Sequence, residues 1–257
     1  MSQLRVENVS KLFGGVHAVR DLTFEVPGGM VYSIIGPNGA GKTTLFNLIT
    51  GLHAPSAGRI WFEDKDVTGL APYVLARRGM SRTFQNLEIF TNMSALENVM
   101  IGRHLRCETS ALAALFRLPG FVRHEKECRD RAFALLDFVG VGRYAELSAA
   151  AMPYGALKRL EIARALAAEP RLLLLDEPAA GLNPTETVAI NSLIRKVAES
   201  GVTVVLVEHD MRLVMDVSER ILVLDHGTKL AEGSAAEVRA NPDVVAAYLG
   251  HKGSVDA

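Results

Sequence analysis

VYSIIGPNGAGKTT, residues Val31 to Thr44, is the stretch whose reading decides the fold. Val31 to Ile35 is an apolar run with the length and β-branched character of a buried strand. Gly36-Pro37-Asn38-Gly39-Ala40-Gly41-Lys42-Thr43 fits the phosphate-loop pattern G-x-x-x-x-G-K-[ST]. A helical pattern follows from Thr44 and stops near Gly51. Strand, loop, helix is the order the motif requires. Its glycines let the main chain fold tightly, so successive N–H groups turn inward onto a phosphate chain. The helix N-terminus adds partial positive charge and Lys42 a full one, while the Thr43 hydroxyl is suited to ligate Mg²⁺.

Working outward, 257 residues suffice for one large domain or a domain with a lobe. Hydrophobic residues make up 49% and charged residues 22%, ordinary values for a soluble globular chain. A net charge of −1 provides no global field for nucleic acid. Cys107 and Cys128 lie in segments with helical patterning and lack metal-ligand spacing, so both are expected to be packing residues in a reducing compartment. No apolar run approaches the roughly 20 residues of a membrane span. The opening MSQLRVENVS lacks a signal peptide's hydrophobic stretch. The expected location is cytoplasmic, compatible with attachment to a membrane protein.

Residues 4 to 9 alternate apolar and polar, as do 22 to 26, which predicts two half-exposed, antiparallel strands. Lys11 to Gly15 reads as a loop between them, with Phe13 at its tip. Gly58 to Phe62 is a further strand, with Trp61 and Phe62 on opposite faces. From about Leu87 the texture becomes helical. Ser94-Ala95-Leu96-Glu97 is a capping box, and Arg123 to Val139 is an amphipathic helix with Phe133, Leu135, Leu136 and Val139 on its apolar face. A third helix spans about Ala156 to Ala168. Strands return at 171–176, 202–207 and 220–224, with a helix over 185–200 and a second capping box at Ser234–Glu237. This strand–helix alternation predicts an α/β core with a mostly parallel sheet flanked by helices. An antiparallel β subdomain precedes it and a helical lobe is inserted into it. The expected division is 1–86 and 160–257 for the core and 87–159 for the lobe, the alternative being an ordinary crossover with long insertions. The tail after Gly250 is short and polar, too short for a further domain.

Asp176 ends an apolar run and so stands at the carboxyl edge of the sheet, where α/β ligands bind. In a phosphate-loop protein that acid typically holds Mg²⁺, and Glu177 beside it is placed to polarise the water that attacks a γ-phosphate.

With these residues in view, the chain resembles the ATP-hydrolysing subunit of an ABC transporter over nearly its whole length. The resemblance implies ATP and Mg²⁺ as ligands. Gly36 to Thr44 form the nucleotide cradle (Gly36, Pro37, Asn38, Gly39, Ala40, Gly41, Lys42, Thr43, Thr44), and Phe13 stacks on adenine. Gln85 reaches both the metal and the transporter. Thr43, Gln85 and Asp176 are the metal set; Glu177, His209 and Lys42 are the catalytic side chains, with His209 also against the γ-phosphate. Gly181-Leu182-Asn183-Pro184 is the loop that crosses a dimer interface. Met152-Pro153-Tyr154-Gly155-Ala156 stands where the signature Leu-Ser-Gly-Gly-Gln is usual, so Pro153, Tyr154, Gly155 and Ala156 face the partner subunit's nucleotide. Proline has neither hydroxyl nor N–H to donate there. The donors that remain are the helix-start amides of Gly155, Ala156 and Leu157. The Pro-Tyr-Gly run, 180-AGLNP-184, 207-VEHDM-211 and 241-NPDVVAAYLG-250 are similar to the branched-chain amino acid importers within the family.

The resemblance also implies partners: a second ATPase subunit of homologous, non-identical sequence, two membrane permeases and, indirectly, a periplasmic solute-binding protein, with no nucleic acid. The chain would sit peripherally on the cytoplasmic face of the inner membrane. Leu87, Ile89, Phe90 and Met93 are the candidates for anchoring an amphipathic helix of the permease. Alternatives from the same family are a lipid or lipopolysaccharide exporter and an amide or urea importer. A soluble ATPase acting on nucleic acid belongs to a different functional class.

Overall fold

The computed structural model describes residues 2–104 and 119–250; Cys107 and the tail after Gly250 lie outside them. An antiparallel pair, β1 (Ser2–Phe13) and β2 (Val16–Pro27), leads into the short buried strand β3 (Val31–Ile35) and helix α1 (Lys42–Ile49). Next come β4 (Ala57–Phe62), β5 (Lys65–Asp66), α2 (Pro72–Arg77) and β6 (Met80–Arg82). Helices α3 (Ala95–Gly102), α4 (Pro119–Phe138) and α5 (Tyr154–Leu166) follow. The chain then alternates through β7 (Leu172–Asp176), α6 (Pro184–Glu199), β8 (Thr203–Val207), α7 (Met211–Val217) and β9 (Arg220–Asp225). It closes with β10 (Thr228–Gly233), α8 (Ala235–Ala240) and α9 (Pro242–Gly250).

Two sheets form. One is antiparallel, in the order β2-β1-β4-β5; the other is β10-β9-β3-β8-β7-β6, parallel except for the β9–β10 hairpin. Both faces of the second sheet are covered. Leu173, Leu175, Val204 and Leu206 pack toward α5, α6 and the helical region, while Leu172, Leu174, Val205 and Val207 pack toward α1 and the antiparallel sheet. Burial on both faces explains why these strands read as unbroken apolar runs. Because the strands are parallel, the chain leaves β3, β6, β7 and β8 at one edge of the sheet.

Several boundaries differ from expectation. The sequence gives no sign of β6 or β10. The β1–β2 connection is only Gly14 and Gly15, at φ +50° and +92°, with Phe13 paired to Val16. Two consecutive residues at positive φ make the tight hairpin turn that suits the twist of its strands, so Phe13 ends a strand instead of sitting in a loop. Helix α1 starts at Lys42, two residues before the expected start, and α5 runs 154–166 instead of 156–168. In α4 the buried positions are Cys128, Ala132 and Leu136, continued by Val139; Phe133 is exposed. The helical period places Phe133 one residue past the Cys128–Ala132 line, on the outer side. Phe62 is buried beside a half-buried Trp61, as the alternation predicts. Both capping boxes form, and a third joins Asn183 to Glu186.

Candidate nucleotide-binding and hydrolysis site

The phosphate loop leaves β3 and curls back into α1. Gly41, at φ +95°, is the N-cap of that helix, and a Cβ added there would lie 2.4 Å from the Ala18 carbonyl. At Gly36 an added Cβ would be 2.2 Å from the Leu224 carbonyl, so only glycine fits the turn out of the strand. The first amides of a helix have no partner inside it and face back along its axis toward the loop. The Lys42 ammonium bonds the Gly36 and Pro37 carbonyls at 2.7 and 3.0 Å, which sets its charge inside the curl. Burial lowers its pKa, against the opposing pull of Glu177 and Asp176. Those two carboxylates therefore lie within electrostatic reach of the loop.

Asp176, at the tip of β7, is buried, and its Oδ2 accepts from Arg82 Nη2 at 2.7 Å. Glu177 sits at φ +48°, with its N–H on the Val207 carbonyl at 2.9 Å. Its Oε2 accepts from Gln85 Nε2 at 3.2 Å and lies 3.7 Å from His209 Nδ1. Gln85, Glu177 and His209 thus converge from three separate loops. His209 is 64% exposed, so it is not a packed core histidine. The fully buried Glu208 accepts from the amides of Ala179 and His209 at 2.9 and 3.1 Å, locking the loop after β7 to the loop after β8. Burial raises its pKa, and those amides pull it back.

The oxygen donors Thr43, Asp176 and Gln85 suit Mg²⁺, which takes few protein ligands and completes its shell with water and phosphate. No cluster of three or more histidine, cysteine or acidic side chains fit to cage a metal occurs among the described residues. An oxygen donor set of this kind fits an ion that draws its remaining ligands from phosphate and water.

Phe13 is 43% exposed at the hairpin end, edge-on to His53 at 5.4 Å and under the Lys11 ammonium at 5.0 Å. The signature segment needs correction. The N–H groups of Ala156 and Leu157 both donate to the Pro153 carbonyl, at 2.9 and 3.0 Å, which takes two of the three expected donors out of play. Because α5 starts at Tyr154, those amides are already the third and fourth of the helix. The amides of Tyr154 and Gly155 stand ahead of them at its open end. Tyr154 also packs against Gly181, and its hydroxyl donates to the Ala180 carbonyl at 3.3 Å.

The groove between the sheet edge and the helical region has a volume of about 390 Å³, with Leu52, Phe84, Phe90, Ile101 and Arg164 in its wall. Of the four expected anchors only Phe90 lines it; Ile89 packs inward against the core. Asn98, fully buried, explains this. Its amide brackets the Phe90 main chain at 2.9 and 3.0 Å, fixing which side of the loop faces out. Arg82, Glu208, Asn98 and the buried pair Lys158 and Glu161 on α5, which hold the Gln85 carbonyl and Phe84 amide, are absent from the sequence reading. Each is set among other polar residues in the sequence (Ser81 and Thr83 beside Arg82, Glu97 beside Asn98, Arg159 beside Lys158, His209 beside Glu208), so no local pattern marks it as buried.

The family model described as ABC transporter matches residues 19–180. This chain belongs to the ABC transporter family. A second model, for the branched-chain amino acid ATP-binding cassette transporter, matches residues 228–253 of the cassette. The cassette is 46% identical to the high-affinity branched-chain amino acid transport ATP-binding protein BraF of Pseudomonas aeruginosa, across 96% of this chain and 97% of that one. It is 43% identical to LivG of Escherichia coli K12, across 97% and 99%. The ADP conformation of MJ1267, an ATP-binding cassette of an ABC transporter, superimposes with a TM-score of 0.85 at 35% identity, covering 97% and 99%. The cassette is an α/β ATPase with a phosphate-loop core. No described helix is long and apolar enough to cross a membrane.

Proposed function

We propose that this cassette is the ATP-hydrolysing subunit that powers an importer of branched-chain or similar hydrophobic amino acids. One observation carries the hydrolytic reading: Gln85, Glu177 and His209 meet at the edge of the sheet onto which the phosphate loop opens. The chain's similarity to BraF and LivG along nearly its full length supports the solute class.

The main-chain amides of residues 36–44 and Lys42 bind and orient the β- and γ-phosphates. Glu177 takes a proton from the attacking water, Gln85 fixes the rotamer of that carboxylate, and His209 donates to the γ-phosphate. Thr43, Asp176 and Gln85 would hold Mg²⁺, which when bound neutralises charge building up between the β- and γ-phosphates. Phe13 offers an exposed ring to adenine. A second ATPase subunit closes over the nucleotide through the helix start at Tyr154 and Gly155. One of the two permeases docks on the groove of each ATPase subunit, here at Phe84 and Phe90, and the 87–159 lobe transmits closure to it at the cytoplasmic face of the membrane; a solute-binding protein delivers the cargo. Reconstitution with the permeases and the solute-binding protein tests this. Leucine, isoleucine or valine should stimulate ATP hydrolysis, and stimulation only by a lipid or by urea would overturn the solute class.

A further inference from the structure

Arg82 ends the edge strand β6 with a guanidinium only 9% exposed. Its Nη2 donates to Asp176 Oδ2 at 2.7 Å, and its Nη1 donates to Asn47 Oδ1 at 2.7 Å and Thr50 Oγ1 at 3.1 Å, at the far end of α1. Two aromatic rings contact it, with centroids 5.5 Å (Phe46) and 5.1 Å (Phe84) from Cζ. Phe46 is fully buried, whereas Phe84 is 39% exposed and lines the groove. The guanidinium Nε is buried without a hydrogen-bond partner. Leaving a buried donor unpaired is unfavourable, a cost set against the three hydrogen bonds the fork makes to Asp176, Asn47 and Thr50.

We propose that Arg82 is the positioning residue for Asp176 and the link through which the groove acts on the metal site. The inference rests on Asp176 being a metal carboxylate. A charge-assisted bond pins Oδ2 and leaves Oδ1 as the oxygen presented to the ion. The main chain beneath is fixed as well: the Asp176 N–H donates to Thr83 Oγ1 at 3.3 Å, and the Thr83 N–H to the Leu174 carbonyl at 2.9 Å. One rigid, forked cation thus spans the metal carboxylate, the phosphate-loop helix and an aromatic wall of the groove. A lysine in its place has no fork with which to hold all three. Whatever seats in the groove against Phe84 presses on the guanidinium, and through it on the aim of Asp176.

The test is binding of a fluorescent ATP analogue to the full chain across a Mg²⁺ titration. Arg82→Lys is expected to raise the half-saturating Mg²⁺ concentration about 10–100-fold, the usual effect of losing an outer-shell partner. Its metal-free nucleotide affinity should stay within about threefold of wild type, because the cradle amides are untouched. Phe84→Ala is expected to shift the Mg²⁺ requirement the same way by about three- to tenfold, and the double variant no further than Arg82→Lys, since the two act along one path. An unchanged or lower Mg²⁺ requirement in Arg82→Lys, as mere removal of a competing charge would give, overturns the proposal; so do additive effects. Should Arg82→Lys fail to fold, Phe84→Ala decides alone, and an unshifted titration overturns the link. A wild-type chain whose nucleotide affinity ignores Mg²⁺ overturns the metal-site reading itself, and the inference with it.

Discussion

Replacing Glu177 by glutamine separates chemistry from folding and binding more cleanly than any other single change. Its side chain is 22% exposed, touches Gln85 at 3.2 Å, and is held in place by a main-chain bond to Val207 that glutamine preserves. The Glu177→Gln side chain keeps the same shape and still accepts from Gln85 Nε2, so stability should change by less than about 0.5 kcal/mol. The phosphate loop is untouched, and ATP affinity should hold. What is lost is the base. General-base catalysis contributes roughly 10²–10⁴-fold, equivalent to about 2.7–5.4 kcal/mol of barrier at 1.36 kcal/mol per decade. Phosphate release under saturating ATP, set beside a nucleotide titration and a thermal melt of the same preparation, measures all three quantities. Hydrolysis within about tenfold of wild type would remove Glu177 from the proton-accepting role.

Asn98→Ala should destabilise the chain by about 2–4 kcal/mol in urea unfolding, because the Phe90 main chain loses both partners on the fully buried Asn98 amide and a small void is left. A loss under about 1 kcal/mol would show that the groove loop is held some other way. Glu161 is buried and its pKa is raised, chiefly by burial and against the Phe84 amide and Lys158. A carboxyl raised on folding binds its proton more tightly in the folded chain. Its contribution is therefore complete below the ordinary glutamate value and is lost as pH rises through the raised one. The melting temperature of wild type relative to Glu161→Gln should accordingly rise as pH falls from about 7.5 to about 5; a flat or opposite trend would contradict the burial argument.

How much the sequence revealed follows from how local each signal is. The phosphate loop was legible because its glycines answer to steric demands within a few residues, and Asp176 because it terminates an apolar run. The capping boxes at Ser94 and Ser234 were legible for the same reason. Arg82 was not, since its meaning depends on Asp176, 94 residues away, and only the β6–β7 pairing brings the two together. The signature was half legible. Pro153 visibly removes a donor, but which amides stay open depends on where α5 begins, and helix starts are poorly fixed by periodicity. Phe90 and Ile89 illustrate the same limit in a loop: both are apolar, and the buried Asn98 decides which one faces the groove.

The central claim is that Thr43 and Asp176 share one divalent ion against the phosphates of a bound nucleotide. Mn²⁺ in place of Mg²⁺, with pulsed electron–nuclear resonance on the ATP complex of the full chain, tests it most directly. The account predicts strong coupling of the ion to nucleotide phosphorus and a changed Mn²⁺ ligand field in both Thr43→Val and Asp176→Asn. Phosphorus coupling with an identical Mn²⁺ spectrum in both variants would contradict it.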